Sequence, residues 1–248
     1  MKRLLAFLVI SVLATAGAHA QQTDETKVAV AANFTEPAKE IATLFKQKTG
    51  YDAVLSFGAS GPFYTQITQD APFQVFLSAD EKRPKDAVDN GLAIADSRFT
   101  YAIGKLVLWS KSIDVTKGDD ALKAGAFNKL SIANPTAAPY GAAAIEAMKA
   151  LGVYAAIEPK IVQGATIAQA FQFVATGNAE LGFVALSQLA SVMAGSRWLV
   201  PDALYKPIRQ DAVLLKKGAD DAASRAFMAF LKGAESKAII QKYGYVVE

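Results

Sequence analysis

Four short segments combine small, polar and glycine residues at places where a strand is predicted to end and a helix to begin. They span residues 31–37, 58–62, 134–141 and 166–169. A helix N-terminus presents unpaired N–H groups at the positive end of the helix dipole. Several such termini that converge on one point would bind an anion without any cationic side chain. Each segment alone is also explained as an ordinary helix cap.

The residues within these segments fit helix starts. Ser60 is a capping type, and Thr166 with Gln169 has the composition and spacing of a capping box. The glycines of residues 58–61 do not form a P-loop, because no Gly-Lys-Ser/Thr sequence follows them. Tyr140 lies between Pro139 and Gly141, and the sequence leaves open whether it faces a cleft or packs in the core.

Other groups that could do chemistry have simpler interpretations. The acidic pairs Asp119-Asp120 and Asp220-Asp221 suggest a metal ion, but such pairs in polar stretches are typical of a solvated surface. Lys216-Lys217 is interpreted in the same way. A Ser-Lys dyad is compatible with the composition, although no particular pair is indicated.

The N-terminus has the pattern of a secretory signal peptide. Met1–Arg3 is cationic, residues 4–13 form an apolar run, and Ala18-His19-Ala20 is a cleavage signal. We expect residues 1–20 to be removed and the mature chain to be exported. Their loss takes away the single His and, with Lys2 and Arg3, lowers the formal net charge from +3 to +1.

The composition of the remaining chain excludes several classes of protein. Without His or Cys it has no Ser-His-Asp triad, cysteine nucleophile, disulfide, structural zinc site or iron–sulfur cluster. A net charge near zero argues against a nucleic-acid partner. No stretch after the signal peptide approaches the length of a membrane span. We therefore expect an exported protein that uses neither a metal nor a cofactor.

Strand-like and helix-like segments alternate along the mature chain, which predicts an α/β fold. The strands are too many for one sheet, and no Gly/Ser-rich linker divides the chain. We therefore predict two lobes joined through strands, with lobe one at residues 21–102 plus 208–248 and lobe two at 103–207. The apolar run at 101–109 is predicted to be one long strand that makes the first crossing. In such a fold a ligand binds in the cleft, at the helix N-termini.

The motifs at these junctions resemble those of the periplasmic molybdate-binding proteins of ABC transporters, over essentially the whole mature chain. The motifs are VAVAANF at 28–34, LSFGASG at 55–61, VFLSAD at 75–80, IGKLVLW at 103–109, IANPTAAPYGAAA at 132–144, GNAELGFV at 177–184 and KYGY at 242–245. Each motif is modest alone, whereas their order and spacing together are specific. The resemblance implies a type II periplasmic binding protein fold, in which two hinged α/β lobes enclose a ligand cleft.

The resemblance also implies which residues contact the anion, all of them neutral donors. The expected contacts are Asn33 together with backbone N–H at Ala32 or Asn33, the hydroxyl and N–H of Ser60, and the backbone N–H groups of Tyr140 and Ile167. They would contact molybdate oxygens, with no direct ligation of the metal.

Three positions depart from the family pattern. One branch of the family has Ser at the position of Asn33 and a Tyr that donates a hydrogen bond at the position of Ala185. This chain resembles a second branch, which has Asn at the first site and Tyr at the third junction. The Tyr140 hydroxyl is therefore a candidate replacement for the missing donor. Gln74 replaces a usual Asp.

The resemblance implies a monomeric binding protein that captures molybdate, and tungstate with it, and delivers the anion to an inner-membrane ABC permease. It is not an enzyme on this interpretation. One alternative is a binding protein for sulfate or another tetrahedral oxyanion. Alternatives from other classes are an exported hydrolase that uses a Ser-Lys or carboxylate site, and a purely structural protein that binds no small anion.

Overall fold

The computed structural model describes residues 25–248 and contains two α/β lobes, each with a five-stranded mixed sheet. This confirms the predicted two-lobed α/β fold. The predicted signal peptide, residues 1–20, lies outside the described residues. None of the helices within residues 25–248 is long and apolar enough to cross a membrane.

The strands are β1 (Glu25–Ala31), β2 (Asp52–Gly58), β3 (Val75–Leu77), β4 (Phe99–Gly104), β5 (Leu106–Ser110), β6 (Leu130–Ala133), β7 (Ile161–Gly164), β8 (Leu181–Ala185), β9 (Ser196–Leu199) and β10 (Ile208–Leu214). The helices are α1 (Thr35–Thr49), α2 (Ser60–Thr68), α3 (Lys82–Asp89), α4 (Asp120–Ala124), α5 (Pro139–Ala150), α6 (Tyr154–Ile157), α7 (Ile167–Ala175), α8 (Ala222–Lys232) and α9 (Ala234–Lys242). Short 3-10 turns join several of them, including residues 32–34 after β1 and 186–189 after β8.

The first sheet has the strand order β2-β1-β3-β10-β4 and packs helices on both faces. Alternate residues of β1 point to opposite sides of the sheet, as the twofold period of a strand requires. Val28 and Val30 belong to the core beneath α1 and α8, whereas Ala29 belongs to the core beneath α2. Burial on both faces explains why β1 is an apolar run rather than an alternating one.

The second sheet has the order β7-β6-β8-β5-β9 and is built in the same way. Leu106 and Leu108 of β5 pack in one core, and Val107 and Trp109 pack in the core on the opposite face. The strands β6, β7 and β8 are parallel, and their carboxyl ends face the first lobe. Helix α5 follows β6 and helix α7 follows β7, so both helices begin at the cleft.

The chain crosses between the sheets at two adjacent points. β4 ends at Gly104 in the first sheet, and β5 begins at Leu106 in the second. The chain returns after Pro207 into β10, where Ile208 pairs with Gly104. The prediction of one continuous strand at 101–109 was therefore wrong, because Lys105 separates two strands that hydrogen-bond to different sheets.

Candidate functional site

A small cavity lies between the lobes where the four predicted junctions meet. It is lined by Ala31, Ala32, Asn33, Gly58, Ala59, Ser60, Ala79, Ala138, Pro139, Tyr140 and Ile167. The first seven of these belong to the first lobe and the other four to the second. The lining includes all five residues that the sequence predicted as anion contacts.

Ser60 lies at the start of α2 and is almost completely buried. Its Oγ accepts a hydrogen bond of 2.9 Å from the backbone N–H of Ala79, which leaves the hydroxyl hydrogen available as a donor. The backbone N–H of Ser60 is at the first helical position, where no carbonyl of the same helix can accept it. Ser60 therefore offers two donors at this wall of the cavity.

Tyr140 lies in the first turn of α5, between a proline with no N–H and a glycine. The N–H of Gly141 donates to the Ala138 carbonyl at 3.0 Å. The N–H of Tyr140 lies in the first turn, where no carbonyl of the same helix can accept it, so it is available to a ligand. Gly141 is required here, because a Cβ would lie 2.1 Å from the Ala133 carbonyl oxygen. Close packing of α5 against β6 thus sets the direction of the Tyr140 N–H.

Ile167 is the first residue of α7, and its neighbours fix the start of that helix. The hydroxyl of Thr166 accepts a hydrogen bond from the Gln169 N–H at 3.1 Å, as the predicted cap requires. Gln188 braces the same turn, because its Nε2 donates to the Ile167 carbonyl at 3.2 Å and its Oε1 accepts from the Ala185 N–H at 2.9 Å. Because Ile167 is the first residue of the helix, its N–H has no carbonyl acceptor within α7.

The side chain of Asn33 is held by a buried polar network, which we name the crossing network. It consists of Asn33, Tyr101, Tyr140, Ser187, Gln210 and Tyr245. Asn33 Nδ2 donates to Gln210 Oε1 at 2.8 Å and to the Tyr245 hydroxyl at 2.9 Å. Both amide hydrogens of Asn33 are therefore engaged, and the donors that this junction offers to the cavity are backbone N–H groups.

The Tyr140 hydroxyl also belongs to the crossing network, where it accepts a hydrogen bond of 3.2 Å from Gln210 Nε2. Its own hydrogen is donated to the Tyr245 hydroxyl within the same network. This placement does not support the hypothesis that the hydroxyl replaces the donor missing at Ala185.

The tyrosines of the crossing network are neutral at physiological pH. Burial raises the pKa of Tyr245 to about 12, and burial also raises the pKa values of Tyr101 and Tyr140 well above the usual tyrosine value. Among residues 25–248, those that line the cavity carry no charged side chain. The described chain also has no group of three or more His, Cys, Asp or Glu that would hold a metal ion. The positive potential in the cavity thus comes from N–H groups and helix dipoles.

Comparisons with known proteins agree with this arrangement. Residues 26–246 match the family described as bacterial extracellular solute-binding proteins. The sequence is 59% identical to the molybdate-binding protein ModA of Rhodobacter capsulatus over 90% of this chain and 89% of that one. It is 52% identical to ModA of Azotobacter vinelandii over 97% of both chains. The chain belongs to the molybdate-binding protein family.

The solved structures give the same result. The periplasmic molybdate-binding protein of Azotobacter vinelandii superposes with a TM-score of 0.86 at 41% identity, over 90% of this chain and 99% of that one. Family membership confirms the resemblance found in the motifs and the type II binding protein fold. It also means that the chain is a binding component of a transporter rather than an enzyme, which sets aside the hydrolase alternative.

Two of the departures from the family motifs have a structural explanation. Ala185 is buried at the end of β8, and its N–H is held by Gln188 as part of the brace on α7. Gln74 extends the pairing of β1 with β3, because its Oε1 accepts from the Lys27 N–H at 2.8 Å while its own N–H donates to the Lys27 carbonyl at 2.8 Å. Neither residue lines the cavity in the described chain.

Sequence reasoning missed Gln210, Ser187 and Tyr245. Gln210 lies within β10, which begins at Ile208, and no motif included it. Gln210 stands between Arg209 and Asp211 in the sequence, and this polar context does not indicate that its side chain is buried. Tyr245 was part of the KYGY motif, but the motif gave it no role.

Proposed function

We propose that the protein captures molybdate, and tungstate in the same way, and delivers the anion to an ABC permease in the inner membrane. Export by the cleaved signal peptide would place the mature chain in the periplasm. The observation that carries the proposal is the neutral cavity at which the starts of α2, α5 and α7 converge from both lobes. The names of the relatives support molybdate as the ligand.

A neutral cavity suits an anion that is fully deprotonated at neutral pH. Such an anion needs donors and no acceptor, and N–H groups held by rigid helices stabilise its charge without the desolvation of a buried lysine. Phosphate keeps a proton for part of the time and would require an acceptor. Molybdate and sulfate have the same donor requirement, so the size of the cavity would distinguish them.

Closure of the lobes is part of the proposed mechanism. In the described structure the Gly61 N–H donates to the Ala137 carbonyl across the cleft at 3.0 Å, and Arg83 donates to the Thr136 carbonyl at 2.9 Å. Arg83 also pairs with Asp80, so its charge is compensated at the rim. The lobes are therefore in contact around the cavity, and an anion would have to enter when they are apart.

Parallel calorimetric titrations of the mature protein with molybdate, tungstate, sulfate and phosphate test the proposal. We expect molybdate and tungstate to bind with similar affinity and sulfate to bind much more weakly. Tighter binding of sulfate than of molybdate would reassign the ligand. Heat from none of the four anions would overturn the proposal of an oxyanion carrier.

A further inference from the structure

The crossing network joins the anion site to the points where the chain passes between the lobes, and Gln210 is at its centre. The Gln210 side chain is fully buried. Its Oε1 accepts from Asn33 Nδ2 at 2.8 Å and from the Tyr101 hydroxyl at 3.1 Å. Its Nε2 donates to the Tyr140 hydroxyl at 3.2 Å. One amide thus holds a cavity-lining residue of each lobe.

The strand opposite Gln210 is irregular at the point of contact. The pairing of β10 with β4 shifts register between Gln210 and Asp211. Asp211 forms an ion pair with Arg98 and accepts from the Thr100 hydroxyl at 2.8 Å, while Gln210 takes part in the crossing network. Gln210 pairs with Ala102 and Asp211 with Thr100, so Tyr101 is the extra residue on β4, and its hydroxyl donates to Gln210 Oε1.

Gly104 shows how closely the network lies to the crossing. A Cβ at this position would stand 2.0 Å from the Tyr140 hydroxyl oxygen and 2.7 Å from Gln210 Nε2. Any other residue would push these two side chains apart. Gly104 is the last residue of β4 and pairs with Ile208, so it also adjoins both crossings.

Movement of the lobes must break the network, because its members come from both of them. Gln210, Asn33 and Tyr245 belong to the first lobe, whereas Tyr140 and Ser187 belong to the second. Ser187 Oγ donates to the Asn33 carbonyl at 2.8 Å and lies 3.0 Å from the Tyr245 hydroxyl. A rotation at the crossings that opens the cleft separates these partners. The network therefore favours the closed arrangement over the open one.

We propose that Gln210 is a positioning residue that couples the hinge to the anion site by holding Asn33 and Tyr140 together in the closed state. The inference rests on the proposed function, which supplies the identity of the anion. Gln210 does not contact the anion; it acts through the two residues that line the cavity. Because its bond to Tyr140 forms only on closure, loss of Gln210 should speed dissociation and leave association nearly unchanged.

The test compares wild type with Gln210→Met, which keeps the length of the side chain and removes the amide. Molybdate binding is followed by calorimetry and by stopped-flow fluorescence. We expect the dissociation constant to rise about tenfold, which is the effect of losing one buried hydrogen bond. The increase should come from faster dissociation, with the association rate nearly unchanged. Ser224→Ala is the matched control, because Ser224 Oγ forms a buried 2.8 Å hydrogen bond with Thr26 in the first lobe, far from the crossings. It should lower thermal stability without changing affinity.

A double-mutant cycle separates coupling from general destabilisation. Gln210→Met and Tyr140→Phe should be non-additive in the dissociation rate, because each removes the same bond between the lobes. Additive effects, or wild-type dissociation in Gln210→Met, would overturn the inference while leaving the proposed function intact.

A measurement without ligand tests the role of Gln210 separately from the proposed function. The chain contains no cysteine, so Gln69→Cys in one lobe and Met193→Cys in the other allow unique spin labels. The distance between the labels reports the open and closed populations. We expect Gln210→Met to shift this distribution towards the open state even if no oxyanion binds. An unchanged distribution would refute the coupling, whichever anion the protein carries.

Discussion

Ser60→Ala is the most informative change in the cavity, because the structure separates its two effects. The substitution removes the hydroxyl that is available to the anion. It also leaves the Ala79 N–H, which donates to Ser60 Oγ at 2.9 Å, without its acceptor. Ser60 is 1% exposed, so water does not readily replace either partner.

The expected magnitudes follow from these two losses. A hydrogen bond to a charged group contributes about 1.5–3 kcal/mol, so the dissociation constant for molybdate should rise about 10-fold to 150-fold. An unsatisfied buried N–H costs about 1–3 kcal/mol, and this part should reduce the free energy of unfolding in the absence of ligand. Calorimetry measures the first quantity, and urea denaturation of the unliganded protein measures the second.

Ile167→Ala is the matched comparison, because Ile167 offers the anion only its backbone N–H. It should reduce stability through lost packing of a buried side chain and change affinity far less than Ser60→Ala does. Equal losses of affinity in the two variants would refute the assignment of side-chain and backbone donors. Unchanged stability in Ser60→Ala would refute the role of Ser60 Oγ as acceptor for Ala79.

Three further outcomes are expected. Molybdate at a hundred times its dissociation constant should stabilise the fold by about 2.7 kcal/mol, seen as a rise in melting temperature, and no shift with molybdate would contradict binding to the folded state. Tyr140→Phe should weaken binding by about 0.5–1.5 kcal/mol through the crossing network, and an unchanged dissociation rate in that variant would contradict this role. Because burial holds the pKa of Tyr245 at about 12, above its unfolded value, the free energy of unfolding should fall as pH rises from about 10 to 12. Denaturation at pH 8 and pH 11 measures this fall, which Tyr245→Phe should reduce.

The sequence predicted the parts of the fold that depend on local pattern. Alternation of apolar strands and capped helices indicated the two α/β lobes, and Thr166 does cap α7. The prediction of Ser60 as a cap was wrong, because Ala59 is the N-cap of α2 and the Ser60 hydroxyl accepts from Ala79 instead. The prediction of a single strand at 101–109 was wrong, because hydrophobicity does not reveal with which sheet a residue forms its hydrogen bonds. Local pattern does not predict helix α9, because its residues, AESKAIIQK, have only a weak apolar stripe.

The candidate site was predictable where its groups lie in the junctions themselves. Ser60, Tyr140 and Ile167 line the cavity because each starts a helix. The partners of Asn33 were not predictable, since Gln210 and Tyr245 lie 177 and 212 residues away along the chain. Only the tertiary fold brings their side chains together, and so only the structure showed that the Asn33 amide is already occupied.

The place of β10 in the first sheet determines the order in which the protein can assemble after synthesis. Strand β4 pairs with β10 and with no other strand of that sheet within the described chain, and β10 also separates it from β3. A chain that has emerged only as far as residue 207 therefore holds an incomplete first sheet. All strands of the second sheet have appeared by residue 199, so the lobe that is encoded in the middle of the chain is the first that can finish folding.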